Sequence, residues 1–109
     1  MDHKEERKRQ QFMIEVNRAI ALANREVIHQ TLASPISADQ VIAFAVSVAR
    51  VRARYLEAAF KITEKNQNEP LGEGEIDSLK RQRQAYEEAR DAFEALTHAI
   101  ERGYVDLAD

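Results

Sequence analysis

Two pairs of acidic and histidine side chains are candidate metal ligands, one with the spacing Glu-x-x-His and one with its two residues four apart. The four residues are Glu26, His29, Glu94 and His98. A Glu-x-x-His pair lies on one side of a helix, and di-iron carboxylate bundles turn such pairs inward. Heptads counted from Met13 and from Leu79, however, place His29, Glu94 and His98 at positions that face water. The sequence therefore predicts no bound metal or other cofactor, and a metal-binding bundle is kept only as the weaker alternative.

Six basic residues form a second candidate site, because cationic side chains can contact the phosphates of a nucleic acid. They are Arg50, Arg54, Lys61, Lys80, Arg81 and Arg83. If the helices that carry them form a hairpin, the six lie at one end of it. The formal charge of −3 and the lack of a recognition-helix turn count against nucleic-acid binding. A solvated face is favoured, and a nucleic-acid-associated regulator is the alternative.

On the favoured interpretation, the basic groups pair with acids across the two helices. The acids within reach would be Glu57, Glu64, Glu87 and Glu88. Arg52 is a separate case, because it interrupts an apolar stripe. We expect its stem to be buried while its guanidinium reaches an acid or a carbonyl.

Nucleophilic and cofactor-dependent catalysis have no support in the residues. The 109 residues include no cysteine, which excludes disulfides, thiol catalysis and zinc fingers. The sequence also has no G-x-S-x-G motif, no phosphate-binding loop and no dinucleotide fingerprint. We therefore expect a protein that is not an enzyme.

The elements that position these residues follow from the few helix breakers. Breakers occur at Ser34-Pro35 and between Asn66 and Gly74. They divide the chain into predicted helices over residues 4–33, 37–66 and 76–102, followed by a tail over residues 103–109. Ser37 and Gln40 have the spacing of a capping box at the start of the second helix. Gly103 is suited to end the third helix, with Tyr104 packing back on Ala99.

Each predicted helix carries an apolar seam with alternating spacings of three and four residues, which is the helical period. In the first helix the seam is Met13, Val16, Ile20, Ala23, Val27 and Gln30. In the second it is Val41, Phe44, Val48, Val51, Tyr55, Ala58 and Ile62. In the third it is Leu79, Gln82, Tyr86, Ala89, Phe93, Leu96 and Ile100.

This pattern predicts an all-α fold with three long antiparallel helices and no sheet. Similar helix lengths and short connections favour an up-down-up bundle that forms a single domain over residues 1–109. A helical hairpin whose first helix is swapped into a second chain is the alternative. The residues after Gly103 could form a short docking tail, in which Tyr104 and Leu107 pack on the bundle or on a partner.

The helices carry more apolar residues than one seam each. A second stripe on the middle helix suits a helix with two neighbours. It comprises Ile42, Ala45, Ala49, Arg52, Leu56, Ala59 and Thr63. A further stripe of Val46, Ala53 and Phe60, together with Ile14, Ala21 and Ile28 of the first helix, has no place inside a three-helix monomer. Contiguous apolar bands usually mark interfaces.

These stripes predict a protein-interaction module that acts as an adaptor, an escort or an inhibitor, in the form of a homo-oligomer. The partner is then another protein or a second copy of the chain. The longest apolar stretch, residues 41–49, is far short of the roughly 20 residues that cross a membrane. With no secretory signal at the N-terminus, we expect a cytoplasmic protein that does not bind membranes.

Overall fold

Three long α-helices account for most of the protein in the computed structural model, which describes residues 2–109. They are α1 (His3–Thr31), α2 (Ala38–Asn66) and α3 (Glu73–Glu101), each 29 residues long. No strand occurs within residues 2–109, where the backbone forms one isolated parallel bridge between Ile36 and Leu107. The prediction of an all-α fold with three long helices is confirmed.

The chain separates into two compact units. One unit contains the described residues up to Ser37 together with His98–Asp109, and the other is Ala38–Thr97. The first unit therefore holds α1 and the C-terminal tail, while the second holds α2 and most of α3. A single domain over residues 1–109 stays a prediction.

The second unit is an antiparallel hairpin. The rings of Phe44 and Phe93 lie 5.5 Å apart between centroids, at an interplanar angle of 52°. At the opposite end, Asn66 Nδ2 donates a 2.7 Å hydrogen bond to Glu75 Oε1. Rising numbers on α2 therefore meet falling numbers on α3, which defines the antiparallel pairing.

The predicted seams of α2 and α3 are the residues that these helices bury. Val48 is buried, and every other member of the two seams is half-buried. Because the three-and-four spacing keeps these side chains on one side of each helix, the two seams can face each other along the hairpin. The sequence pattern thus identified the contact face of both helices.

The start of α3 lies three residues before the predicted one. Gly72 donates its backbone N–H to Glu75 Oε1 at 2.9 Å, which is one half of a capping box. Its carbonyl also accepts the first helical hydrogen bond, from the N–H of Ile76 at 3.0 Å. The predicted start is wrong because Gly72, which the sequence analysis counts among the helix breakers, instead caps the helix through Glu75.

The C-terminal tail packs against α1 within the first unit. Gly103, with φ of +74°, ends α3, and the N–H of Tyr104 bonds the carbonyl of Ala99 at 2.9 Å. This is the helix end that glycine favours, as the sequence predicted. In the tail that follows, Val105 is one of the most buried residues of the protein, with 7% of its surface exposed.

The core is small. Within residues 2–109, only Val48 and Val105 are buried, and neither α1 nor α3 contains a buried residue. Half-buried seams and polar contacts therefore hold α2 and α3 together. Much of the apolar surface of the described residues remains exposed to water.

Candidate interaction surfaces

The hairpin carries a second, exposed apolar seam on α2, which we call the outer seam. It comprises Ile42, Val46, Ala49, Ala53, Leu56 and Phe60, all of them exposed. The four larger side chains keep between 44% and 66% of their surface. At about 100° per residue, the outer seam lies roughly 140° around the helix from the seam that contacts α3.

The sequence prediction divided this surface in two. Val46, Ala53 and Phe60 were assigned to an interaction stripe, whereas Ile42 and Leu56 were assigned to contacts with a second neighbouring helix. In the structure all five are exposed. A repeat of seven residues assigns them to two separate stripes. Together with Ala49 they follow successive spacings of four, three, four, three and four residues, which places all six on one side of the helix.

Helix α1 exposes an even larger set of apolar side chains. They are Phe12, Met13, Ile14, Ile20, Leu22 and Val27, and the exposed Leu32 follows directly after the helix. Of the three residues that the sequence assigned to an interface on this helix, Ile14 and Ala21 are exposed, but Ile28 is half-buried. The predicted seam of α1 is likewise open to water at Met13, Ile20 and Val27 rather than covered by another helix.

The six basic residues proposed as phosphate contacts are all exposed. Two of them are paired on their own helices, since Lys61 lies 3.4 Å from Glu57 and Arg83 lies 3.6 Å from Glu87. The expected acidic partners are correct at these two positions, but the pairs form along each helix instead of across the hairpin. All six residues remain predicted phosphate contacts.

Arg52 binds a phenol rather than the acid or carbonyl that the sequence suggested. Its Nη2 donates to the Tyr86 hydroxyl oxygen at 2.8 Å, and its guanidinium carbon lies 5.1 Å from the centre of that ring. A second guanidinium, from Arg90, lies 5.5 Å from the same ring. Hydrogen bonding to Asp91 raises the pKa of Arg90 above its usual value. Both arginines therefore support the packing of Tyr86.

Arg52 and Arg90 also line a shallow groove between α2 and α3. The other lining residues are Ala45, Val48, Ala49, Phe93, Glu94 and Thr97. Both guanidinium groups already contact a tyrosine ring. The Thr97 hydroxyl donates to the backbone carbonyl of Glu94 at 3.0 Å, so it is not paired with a base.

His29 is part of the attachment of the tail. Its Nδ1 lies 2.7 Å from Asp106 Oδ2. The Arg25 guanidinium donates two hydrogen bonds, one of 2.8 Å to Asp106 Oδ1 and one of 2.6 Å to the carbonyl of Gly103. The sequence prediction placed His29 in water and missed this cluster, because Arg25 and His29 lie 77 or more positions from the tail residues that they contact. An acidic residue in a tail and two bases on one helix were the only signal.

The metal-binding alternative has no ligand cluster in the part of the chain that the structure describes. No group of three or more histidine, aspartate or glutamate side chains lies close enough to hold an ion there. Of the four predicted ligands, His29 contacts Asp106, and Glu26 accepts a 3.1 Å hydrogen bond from Gln30 Nε2. These contacts have a structural explanation without an ion.

Comparison of the chain with protein-family models, with curated proteins and with solved structures gave no match. Within residues 2–109, none of the helices combines the length and the apolar character needed to cross a membrane. Function therefore has to be inferred from the surfaces described above.

Proposed function

We propose that this protein is a non-enzymatic protein-interaction module, which works as a homo-oligomer through its exposed apolar helix faces. In this role it would act as an adaptor, an escort or an inhibitor that covers a partner's surface. One observation carries the proposal. Among residues 2–109, thirteen large apolar side chains are exposed, whereas only two apolar residues are buried.

The arrangement of these side chains also supports the proposal. Single exposed apolar residues are common on monomers, but continuous apolar bands usually mark sites of association. The outer seam runs over roughly 18 residue steps of α2, which is about 27 Å at the helical rise. Helix α1 adds its own exposed seam. Burial of each half-exposed side chain would contribute about 1 kcal/mol.

The test is the absolute mass in solution of the wild type and of Phe60→Glu, measured by light scattering after size-exclusion chromatography. Phe60, at 66%, is the most exposed large apolar residue that the structure describes, so its replacement should cost little in the isolated fold. We expect a lower mass for Phe60→Glu with unchanged helix content. Gln84→Glu, on the exposed surface of α3, adds the same charge and should keep the wild-type mass.

Two outcomes count against the proposal at different levels. An unchanged mass in Phe60→Glu would contradict the placement of the contact on α2. A wild type that stays monomeric at every concentration would contradict self-association altogether, and the apolar faces would then need a different protein partner.

A further inference from the structure

The C-terminal tail is held in the first unit by contacts of the kind that bind a peptide ligand. Two backbone hydrogen bonds of 2.8 Å join it to Ile36: the N–H of Ile36 donates to the carbonyl of Asp106, and the N–H of Ala108 donates to the carbonyl of Ile36. They form the parallel bridge between Ile36 and Leu107. Domains that bind peptides by strand addition use such backbone pairing to fix the register of the ligand.

Side chains make the site selective for an acidic segment with an apolar anchor. Asp106 presents one carboxylate oxygen to Arg25 Nη2 at 2.8 Å and the other to His29 Nδ1 at 2.7 Å. Val105, the residue before it, is buried. Arg25 also donates to the carbonyl of Gly103 at 2.6 Å, which positions the start of the segment. A valine followed by an aspartate therefore supplies both the anchor and the charge that the site receives.

The tail can leave this site without the loss of a helix. It follows Gly103, which ends α3, and the backbone hydrogen bonds of α1 lie within α1 itself. The side chains of Arg25 and His29 keep 52% and 56% of their surface exposed. Ion pairs as exposed as these contribute little free energy. Local opening of the tail therefore costs less than unfolding of the protein.

We propose that Arg25, His29 and Ile36 form a peptide-binding site for an extended segment with a valine followed by an aspartate, and that the tail of a second copy fills it when the chain's own tail is displaced. Every contact described above is equally available to the tail of another copy, and exchange of an identical segment is a low-cost route to association. The inference goes beyond the proposed function, because it uses the tail and none of the exposed apolar faces.

The chain's own tail is the competitor that an experiment has to remove. A tethered segment has an effective concentration on the order of 1 mM at its site. Two variants of the full chain therefore separate the site from its ligand. Asp106→Arg keeps the site and disables the tail, whereas Arg25→Glu keeps the tail and disables the site. In each variant alone, the amide of Ile36 should lose protection from hydrogen exchange, because the tail no longer accepts its hydrogen bond.

Mixing the two variants tests the exchange directly. Only the Asp106→Arg chain is isotopically labelled, so the NMR signal of Ile36 reports its intact site alone. At about 1 mM of each chain, the intact tail of the Arg25→Glu chain is as concentrated as a tethered one. We expect protection of the labelled Ile36 amide to rise about tenfold or more on mixing, relative to the Asp106→Arg chain alone.

The matched control replaces the unlabelled chain by one that carries both Arg25→Glu and Val105→Ser. Its tail lacks the apolar anchor, so protection of the labelled Ile36 amide should stay at the value of the Asp106→Arg chain alone. Equal protection with and without the Arg25→Glu chain would overturn the proposal. An equal rise with the control chain would overturn it as well, because the contact would then not involve the tail.

Charge reversal can also disturb the fold, which circular dichroism of each variant would show. In that case Asp106→Asn replaces Asp106→Arg as the labelled chain, and a synthetic peptide of residues 103–109 replaces the second chain. The peptide at several millimolar should raise protection of the Ile36 amide, and a peptide with serine in place of Val105 should not. No rise with the first peptide would overturn the proposal.

Discussion

At the residue scale, the cluster around Asp106 connects distant parts of the chain. The Asp106 side chain accepts a hydrogen bond from Arg25 and contacts His29. Two backbone hydrogen bonds of 2.8 Å lie beside these contacts: the N–H of Ile36 donates to the carbonyl of Asp106, and the N–H of Ala108 donates to the carbonyl of Ile36. Exposed ion pairs contribute little by themselves. Their value here is that they hold a segment whose buried residue is Val105.

Arg25→Met should loosen the tail, because it removes a hydrogen bond to Gly103 and an ion pair with Asp106. We expect the free energy of local opening to fall by about 1–2 kcal/mol. Amide hydrogen exchange at Ile36 and Ala108 would measure it. Arg18→Met, at an exposed position of the same helix, should leave both amides unchanged. Equal protection of these amides from hydrogen exchange in the wild type and in both variants would show that Arg25 does not hold the tail.

Glu75 gives the hairpin a dependence on pH. Hydrogen bonds from the Asn66 side chain and then from the Gly72 backbone lower the pKa of its carboxyl below the usual 4.5. Since the folded pKa is the lower one, the stabilisation is complete above the unfolded value and is lost as pH falls through the folded pKa.

Acidification below pH 4.5 should therefore loosen the start of α3. The amide shifts of Gly72 and the side-chain amide shifts of Asn66 would record the transition in an NMR titration. Glu75→Gln should remove the acid transition at both sites. Persistence of the same transition in that variant would assign it to another carboxyl group.

At the element scale, the helical period predicted which face of each helix is apolar but not what covers it. For α2 and α3 the predicted seams are the half-buried faces. For α1 the same kind of spacing gave a seam that remains exposed. Spacing reports the chemistry of one helix, whereas coverage depends on residues far away in the chain. The tail contacts of Arg25 and His29 were missed for the same reason.

The connection after α2 contains a local strain that a substitution can relieve. Gln67 and Asn68 have φ of 49° and 72°, in the left-handed region. Asparagine tolerates this region, whereas glutamine is disfavoured there.

Gln67→Gly should therefore stabilise the protein by about 0.5–1 kcal/mol, because glycine adopts this backbone without steric cost. Denaturant unfolding monitored by circular dichroism would measure the difference. The matched variant Gln84→Gly, inside α3, should instead destabilise by about 1 kcal/mol. A loss of stability in both variants would contradict the assignment of strain to Gln67.

At the scale of the whole molecule, the central feature is the imbalance between buried and exposed apolar residues. Thirteen large apolar side chains face water in the described chain, against two buried valines. The sequence predicted this excess from its additional stripes. It could not show that the stripes on α2 form a single exposed seam, because that requires knowing which side of the helix contacts α3.

Sedimentation equilibrium of the wild type over a wide range of concentrations tests this account most directly. We predict a mass that rises with concentration from that of the 12.5 kDa chain to at least twice that value. A mass of one chain at every concentration, with full helix content, would contradict the account.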